Sequence, residues 1–107
     1  MARSDATPFG LAFLPDALDE WRALDGSVKK QFQAQLRRRL LQPRTPGSEL
    51  RGPLRGYYKI KLSRAGFRLI YRVEDERVVV TVVAVGLRAG DAVYAAAVRR
   101  VAGRTRP

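Results

Sequence analysis

The segment YYKIKLSRAGFRLIYRV, residues 57–73, carries Lys59, Lys61 and Arg68 close together with no carboxylate among them. Tyr58, Ile60 and Leu62 alternate up to a turn at 63–66, and Phe67, Leu69, Tyr71 and Val73 alternate away from it, which predicts a β-hairpin with an apolar buried face. The turn sets Lys61 opposite Arg68 and Lys59 opposite Ile70. Like charges directly opposite on paired strands destabilise by a few tenths of a kcal/mol up to about 1 kcal/mol. Solvated side chains on long stems would tolerate that arrangement. A site that receives a phosphate requires it, because fixed cations stabilise the charge that grows on a phosphodiester in its transition state. Two further residues stand at the ends of predicted elements, where functional side chains often gather: Arg88, just after Gly86, and Tyr94, in the first turns of the last helix. Taken singly, each is also an ordinary surface arginine or half-buried tyrosine.

Composition narrows the chemistry. The 107 residues hold 21 Lys and Arg against 10 Asp and Glu, a net charge of +11. Such a field attracts polyanions, with nucleic acid the usual one and anionic lipid or an acidic protein the others. Cysteine and histidine are both missing, which removes disulfides, the usual zinc ligands and the commonest general acid–base. No metal or small-molecule cofactor is expected. Cleavage of RNA by its own 2′-OH needs a base for that hydroxyl, charge stabilisation at phosphorus and a proton for the departing 5′-oxygen. Without histidine, an amine made less basic by neighbouring cations can be the base. Lys59, beside Lys61 and near Arg68, is the candidate, with Lys61 and Arg68 holding the phosphoryl oxygens. Neither the opening MARSDATPFG nor the run VVVTVVAVGL at 78–87 has the form of a signal peptide or a spanning helix, so a cytoplasmic protein with no membrane partner is expected.

These side chains need a scaffold. Residues 1–8 read as a flexible leader, and FGLAFL (9–14) as a short strand. Pro15 and Asp16 open a helix in which Ala17, Leu18, Trp21 and Leu24 recur at helical spacing, until Asp25-Gly26 stops it. Ser27 is the expected N-cap of a second helix, with Val28, Phe32, Leu36 and Leu40 inward, Lys29, Lys30, Arg37 and Arg38 outward, and Pro43 at its end. The Pro- and Gly-rich stretch 43–56 is a loop. Strands follow at about 57–62, 67–74 and 77–86, the last apolar on both sides like a central strand with both faces covered. Asp91 is placed to cap a final helix that runs to about Val101, and 102–107 reads as a flexible tail. The order β-α-α-β-β-β-α predicts a single domain over 9–101. Its class is α/β of the α+β type, two layers, with an N-terminal helical hairpin on a mainly antiparallel sheet.

Four segments, ALDEWRALDGSVKKQFQAQLRRRLLQPR, LRG, YYKIKLSRAGFRLIYRV and VVVTVVAVGLRAGDAVYAAAVRR, together resemble the RelE toxins of bacterial toxin–antitoxin systems, within the RelE/ParE superfamily. The resemblance spans roughly residues 9–100. It implies a small α/β fold with two N-terminal helices on the sheet. It also implies a metal-independent endoribonuclease that cuts mRNA in the ribosomal A site and so inhibits translation. The family's catalytic positions fall on Lys59 and Lys61 of YKIKL, Arg68 of GFRLIY, Arg88 of VGLR and Tyr94 of AVY, with Arg51 of LRG near the RNA. On this resemblance Arg88 stabilises or protonates the departing oxygen, while Tyr94 orients the 2′-OH or stacks on a base. Leu87, Ala89 and Gly90 stand where family members often carry basic residues. The implied partners are the ribosome with its mRNA and a cognate antitoxin encoded beside this chain. That antitoxin is expected to be acidic, partly disordered, and to lay an amphipathic helix on the helical hairpin or the sheet. Two other readings compete: a ParE-like gyrase poison of the same fold, which has no use for the five-residue set, and a non-enzymatic nucleic-acid-binding module, which would spread its charge.

Overall fold

Four strands and three helices form in the expected order: β1 (Gly10–Phe13), α1 (Pro15–Arg22), α2 (Gly26–Leu41), β2 (Tyr57–Leu62), β3 (Phe67–Glu74), β4 (Val79–Leu87) and α3 (Ala92–Thr105). The structure, a computed structural model, describes residues 8–105. The expected leader, apart from Pro8, and Arg106 and Pro107 of the expected tail lie outside the described residues. The last helix continues past the predicted end at Val101 to Thr105.

Local chemistry sets most helix ends. α1 starts at Pro15, whose missing N–H and fixed φ suit a first helical position, with Asp16 in the first turn near the positive helix end. α2 is capped by Asp25 and not by Ser27: the Asp25 carboxylate accepts the Ser27 N–H at 3.0 Å and also takes the Ser27 hydroxyl. An aspartate two residues ahead reaches an otherwise orphaned amide, so the serine becomes part of the helix. Asp91, expected to cap α3, instead lies in the left-handed region (φ 57°) and closes a 3-10 turn over Ala89–Asp91.

The strands make one mixed sheet in the order β1-β4-β3-β2, with β1 parallel to β4 and the other pairs antiparallel. The hairpin has the predicted register, Leu62 with Phe67, Lys61 with Arg68 and Lys59 with Ile70. Its turn closes through the Gly66 N–H on the Leu62 carbonyl at 2.8 Å, with Gly66 at φ 74°, a conformation that glycine adopts without strain.

Both faces of the sheet are covered. On one, Ala17 of α1 and Val28, Phe32 and Leu36 of α2 pack on Tyr58, Ile60, Leu62, Leu69, Tyr71, Val80, Val82 and Val85. On the other, Val93, Ala96 and Ala97 of α3 pack on Ile70, Val83 and Ala84. The two expected layers are joined by a partial third. A bulge between Ile70 and Tyr71 of the β3–β4 ladder lets Val83 and Ala84 face the same way, and so supplies that second cluster.

β4 has neighbours on both sides for only half its length. β1 pairs with it as far as Val82, and the Leu14 N–H closes on the Val82 carbonyl at 2.9 Å. Beyond that point an ion pair takes over the edge. Arg100 of α3 donates to the Val83 carbonyl at 2.9 Å, and Glu20 of α1 accepts the Val85 N–H at 3.0 Å. The two side chains meet in a bidentate pair at 2.9 and 2.8 Å. Helices from opposite faces are thereby tied together across one strand edge.

Arg100→Met should cost about 2 kcal/mol in urea unfolding, less than the ~3–5 kcal/mol of a fully buried pair because Glu20 remains partly wet. An unchanged midpoint would show that water satisfies the edge as well as the pair does. At the other end of the sheet Glu74 accepts from Thr81 (2.7 Å), Arg72 (3.0 Å) and Arg77 (3.1 Å). The Thr81 hydroxyl first, then Arg72, hold its carboxyl below the ordinary value of 4.5. A depressed carboxyl stabilises the fold fully above 4.5 and loses that contribution as pH falls through its lowered value. Glu74→Gln should therefore flatten this part of the acid limb of a stability–pH curve; an unaltered limb would assign it to other groups.

Candidate active site

β3 lies between β2 and β4, so Arg68 has Lys61 on one side and Gly86 on the other. Directly paired residues share a face, and here it is the α3 face: a Cβ on Gly86 would stand 3.7 Å from Val93 Cβ. Lys59, paired with Ile70 of the second cluster, is on it too. Two residues past Gly86 the chain leaves the sheet at Arg88, whose N–H donates to the Gly66 carbonyl at 2.8 Å. That bond ties the β4 exit to the β2–β3 turn, so Arg88 is held at the same end of the sheet as Lys61 and Arg68. Tyr94 follows Val93 on α3 and is half-buried against the second cluster.

The cations differ in exposure. Lys61 and Arg88 are open to solvent and Lys59 is half-buried. Arg68 is only 9% exposed, and its guanidinium turns back to donate to the Phe67 carbonyl at 3.0 Å. Among the described residues, the ion pairs engage Arg44, Arg72, Arg77 and Arg100, and none of these four cations. Six of the nine described carboxylates are engaged elsewhere: Asp16 and Glu20 at Arg100, Glu74 at Arg72 and Arg77, Asp75 at Arg44, Asp25 at a helix cap, and Glu49 on the Gly56 N–H. An uncompensated cationic row can take up a phosphodiester and stabilise added negative charge on it. No cluster of potential metal ligands occurs among the described residues.

Arg51 lies outside this row. It is exposed and enters a 3-10 turn, Gly52–Leu54, in a loop stitched to the other end of β2 through the Leu50 N–H on the Tyr57 carbonyl. One residue near the lysines escaped the sequence reading. Arg39 of α2 turns inward and donates to the Lys59 carbonyl at 3.2 Å and the Tyr71 hydroxyl at 2.9 Å. The available signal was its position: it follows Phe32 and Leu36 at helical spacing, on the stripe that α2 buries.

A family model described as the ParE toxin of a type II toxin–antitoxin system, parDE, matches residues 11–92. The mRNA interferase toxin RelE of Escherichia coli K12 is 45% identical over 91 residues, which cover 85% of this chain and 95% of that protein. The chain belongs to the RelE branch of the RelE/ParE toxin family. A structure of E. coli toxin RelE in the free state, with two arginines replaced by alanine, superposes with a TM-score of 0.78 at 42% identity, over 88% of this chain and 98% of that one. RelE in the intact E. coli RelBE toxin–antitoxin complex gives 0.70 at 44% identity, over 74% and 95%. The family match contains Lys59, Lys61, Arg68 and Arg88, and ends just before Tyr94.

For a RelE-family chain with this geometry, Arg68→Ala and Arg88→Ala should each remove growth arrest on induction and lower RNA cleavage about 100- to 1,000-fold, the scale of one lost electrostatic stabiliser. Circular dichroism should show both variants folded, with Arg68→Ala the less stable because it vacates a buried site. Undiminished cleavage by both would remove the cationic row from the chemistry.

Proposed function

We propose that this chain is the toxin of a type II toxin–antitoxin system, an endoribonuclease that cuts mRNA in the ribosomal A site and so stops translation. The observation that carries the reading is the row of Lys61, Arg68 and Arg88, gathered at one end of the sheet and outside the ion pairs of the described residues, with Lys59 one step along the same face. Lys59 takes the proton of the 2′-OH, and the oxygen attacks phosphorus. Lys61 and Arg68 hold the phosphoryl oxygens as negative charge builds up. The P–O5′ bond breaks to leave a 2′,3′-cyclic phosphate, and the 5′-oxygen leaves as a hydroxyl, either protonated by Arg88 or stabilised by it and protonated by water, while Lys59 returns its proton to solvent. Tyr94, on the helix that covers this face, orients the 2′-OH or stacks on a base, and Arg51 contacts RNA farther along the strand. No step calls for a metal or a cofactor.

The names of the relatives support the reading, since the 45%-identical E. coli protein is an mRNA interferase. Solved complexes of RelE with RelB support a cognate antitoxin as partner. On this reading residues 9–101 are the toxin domain, its place of action is the cytoplasm, and the antitoxin is an acidic chain that orders on binding. None of the described helices is long and apolar enough to cross a membrane.

The test is to incubate the purified chain with programmed ribosomes, with the same mRNA free in solution, and with gyrase and DNA. Ribosome-bound message should be cut in the A-site codon at least ~100-fold faster than free RNA, because holding a strand in line for attack contributes on the order of 7 kcal/mol or more. Equal rates on free and bound RNA would contradict ribosome dependence. Gyrase poisoning without RNA cleavage would favour the ParE-like activity, and binding without cleavage a simple RNA-binding module.

A further inference from the structure

We propose that Arg39 is a positioning residue for the reaction centre: it holds the peptide unit between Lys59 and Ile60, and so fixes how Lys59 and Lys61 are presented to the RNA. The inference rests on the reading of Lys59 as a reacting group. β2 is an edge strand. Its outer side is held by the Leu50 N–H on the Tyr57 carbonyl (2.8 Å), by the Lys59 N–H on the Ser48 carbonyl (3.0 Å) and by Arg39 Nη1 on the Lys59 carbonyl (3.2 Å). Among the described residues nothing further along the outer edge engages Lys61, so Arg39 is the last clasp before the cationic row. The inner side of the same peptide faces β3, where Ile60 pairs with Leu69. With both sides held, the plane joining the two lysines cannot rock, and each long side chain starts from a fixed root.

Arg39 is itself held rigidly. The same Nη1 donates to the Tyr71 hydroxyl, which donates onward to the Pro43 carbonyl. The guanidinium carbon stands 5.8 Å from the centre of the Tyr71 ring, and that ring stacks on Tyr58 with centroids 5.7 Å apart. Tyr71 is fully buried. The cluster is a rigid post joining α2, the β2 edge, β3 and the loop after α2.

Stability alone gives little reason for an arginine there. The position lies on the buried stripe of α2, where a methionine would pack without desolvating a charge. Arg39 has no ion-pair partner among the described residues, so it adds another cation beside Lys59 and Lys61. It lines a cleft of about 200 Å³ with Gln35, Ser48 and both lysines. A cation without a counter-ion, bonded to the backbone of the candidate base, suits a geometric task in the reaction.

Single-turnover cleavage on programmed ribosomes tests this, at a temperature where circular dichroism shows every variant folded. A misplacement of about 1 Å can cost about 100-fold, so Arg39→Met should lower the saturating rate roughly 30- to 100-fold and leave the half-saturating toxin concentration within about twofold. Arg39→Lys keeps the charge and one donor and should recover part of the rate. Tyr71→Phe should lose less than Arg39→Met, and the double variant should lose less than the product of the two. Wild-type rates for Arg39→Met would overturn the proposal. So would a loss confined to the half-saturating concentration, which would make Arg39 an RNA contact, or full rescue by lysine, which would reduce its role to charge. Lys59→Ala is the reference: a wild-type rate there would bring down the reading of Lys59 as the base, and this inference with it.

Discussion

Everything in this fold is hung on β4, and β4 has an edge that its neighbour does not cover. Strand β1 stops pairing at Val82, yet the valine-rich strand continues to Leu87. A buried carbonyl at Val83 and an N–H at Val85 left without partners would each cost about 1–3 kcal/mol. Glu20 and Arg100 meet both needs with one ion pair whose members come from helices on opposite faces of the sheet. That pair therefore does more than cap a strand. It sets where α3 lies, which sets where Tyr94 lies relative to the face that carries Lys59, Lys61 and Arg68.

Charge is partitioned in the same spirit. The described carboxylates that form bonds serve as clasps and caps, at Arg100, at Arg72 and Arg77, at Arg44, at the start of α2 and on the Gly56 amide. No ion pair reaches Lys59, Lys61, Arg68 or Arg88, which share one sheet face or its end. Repulsion within that set is tolerated because the opposite face of the same hairpin is anchored by fully or nearly fully buried side chains such as Ile60, Leu69 and Tyr71. The core opposes the spreading of like charges, and a bound phosphodiester would relieve it. Stability and function thus pull in opposite directions on the two sides of one two-stranded ribbon.

Arg88 shows how a loop residue acquires a fixed place. Its side chain is exposed, but its own N–H is bonded to Gly66, inside the β2–β3 turn. Gly86 lets Val93 come close above the sheet, so α3 begins directly over the row and not beyond it. Leu87 ends β4, paired with Phe67, and Ala89 and Gly90 lie in the 3-10 turn that follows Arg88, with Gly90 at φ 67°.

Much of this was legible in the sequence, and the reason is local. Alternation with period two names the buried and exposed sides of a strand, and a four-residue turn then fixes which residues stand opposite, so Lys61 against Arg68 follows from residues 57–73 alone. Helical spacing located α1 and α2, and the double-sided apolar run marked β4 as central. The choice of Asp25 over Ser27 as cap was missed because both residue types fit the position, and only backbone geometry separates them. The sheet order, the parallel placement of β1 on β4, the face chosen by α3, the Glu20–Arg100 clasp and the inward turn of Arg39 were decided only in three dimensions. The Arg39 and Glu20–Arg100 contacts join residues 20 and 80 positions apart, whose meeting leaves no periodic trace along the chain. The sequence alone singled out the candidate side chains and the strand face that carries Lys59, Lys61 and Arg68. Tertiary structure decided what holds those side chains in place, because unpaired edges and buried charges are satisfied by whatever the folded chain brings within reach.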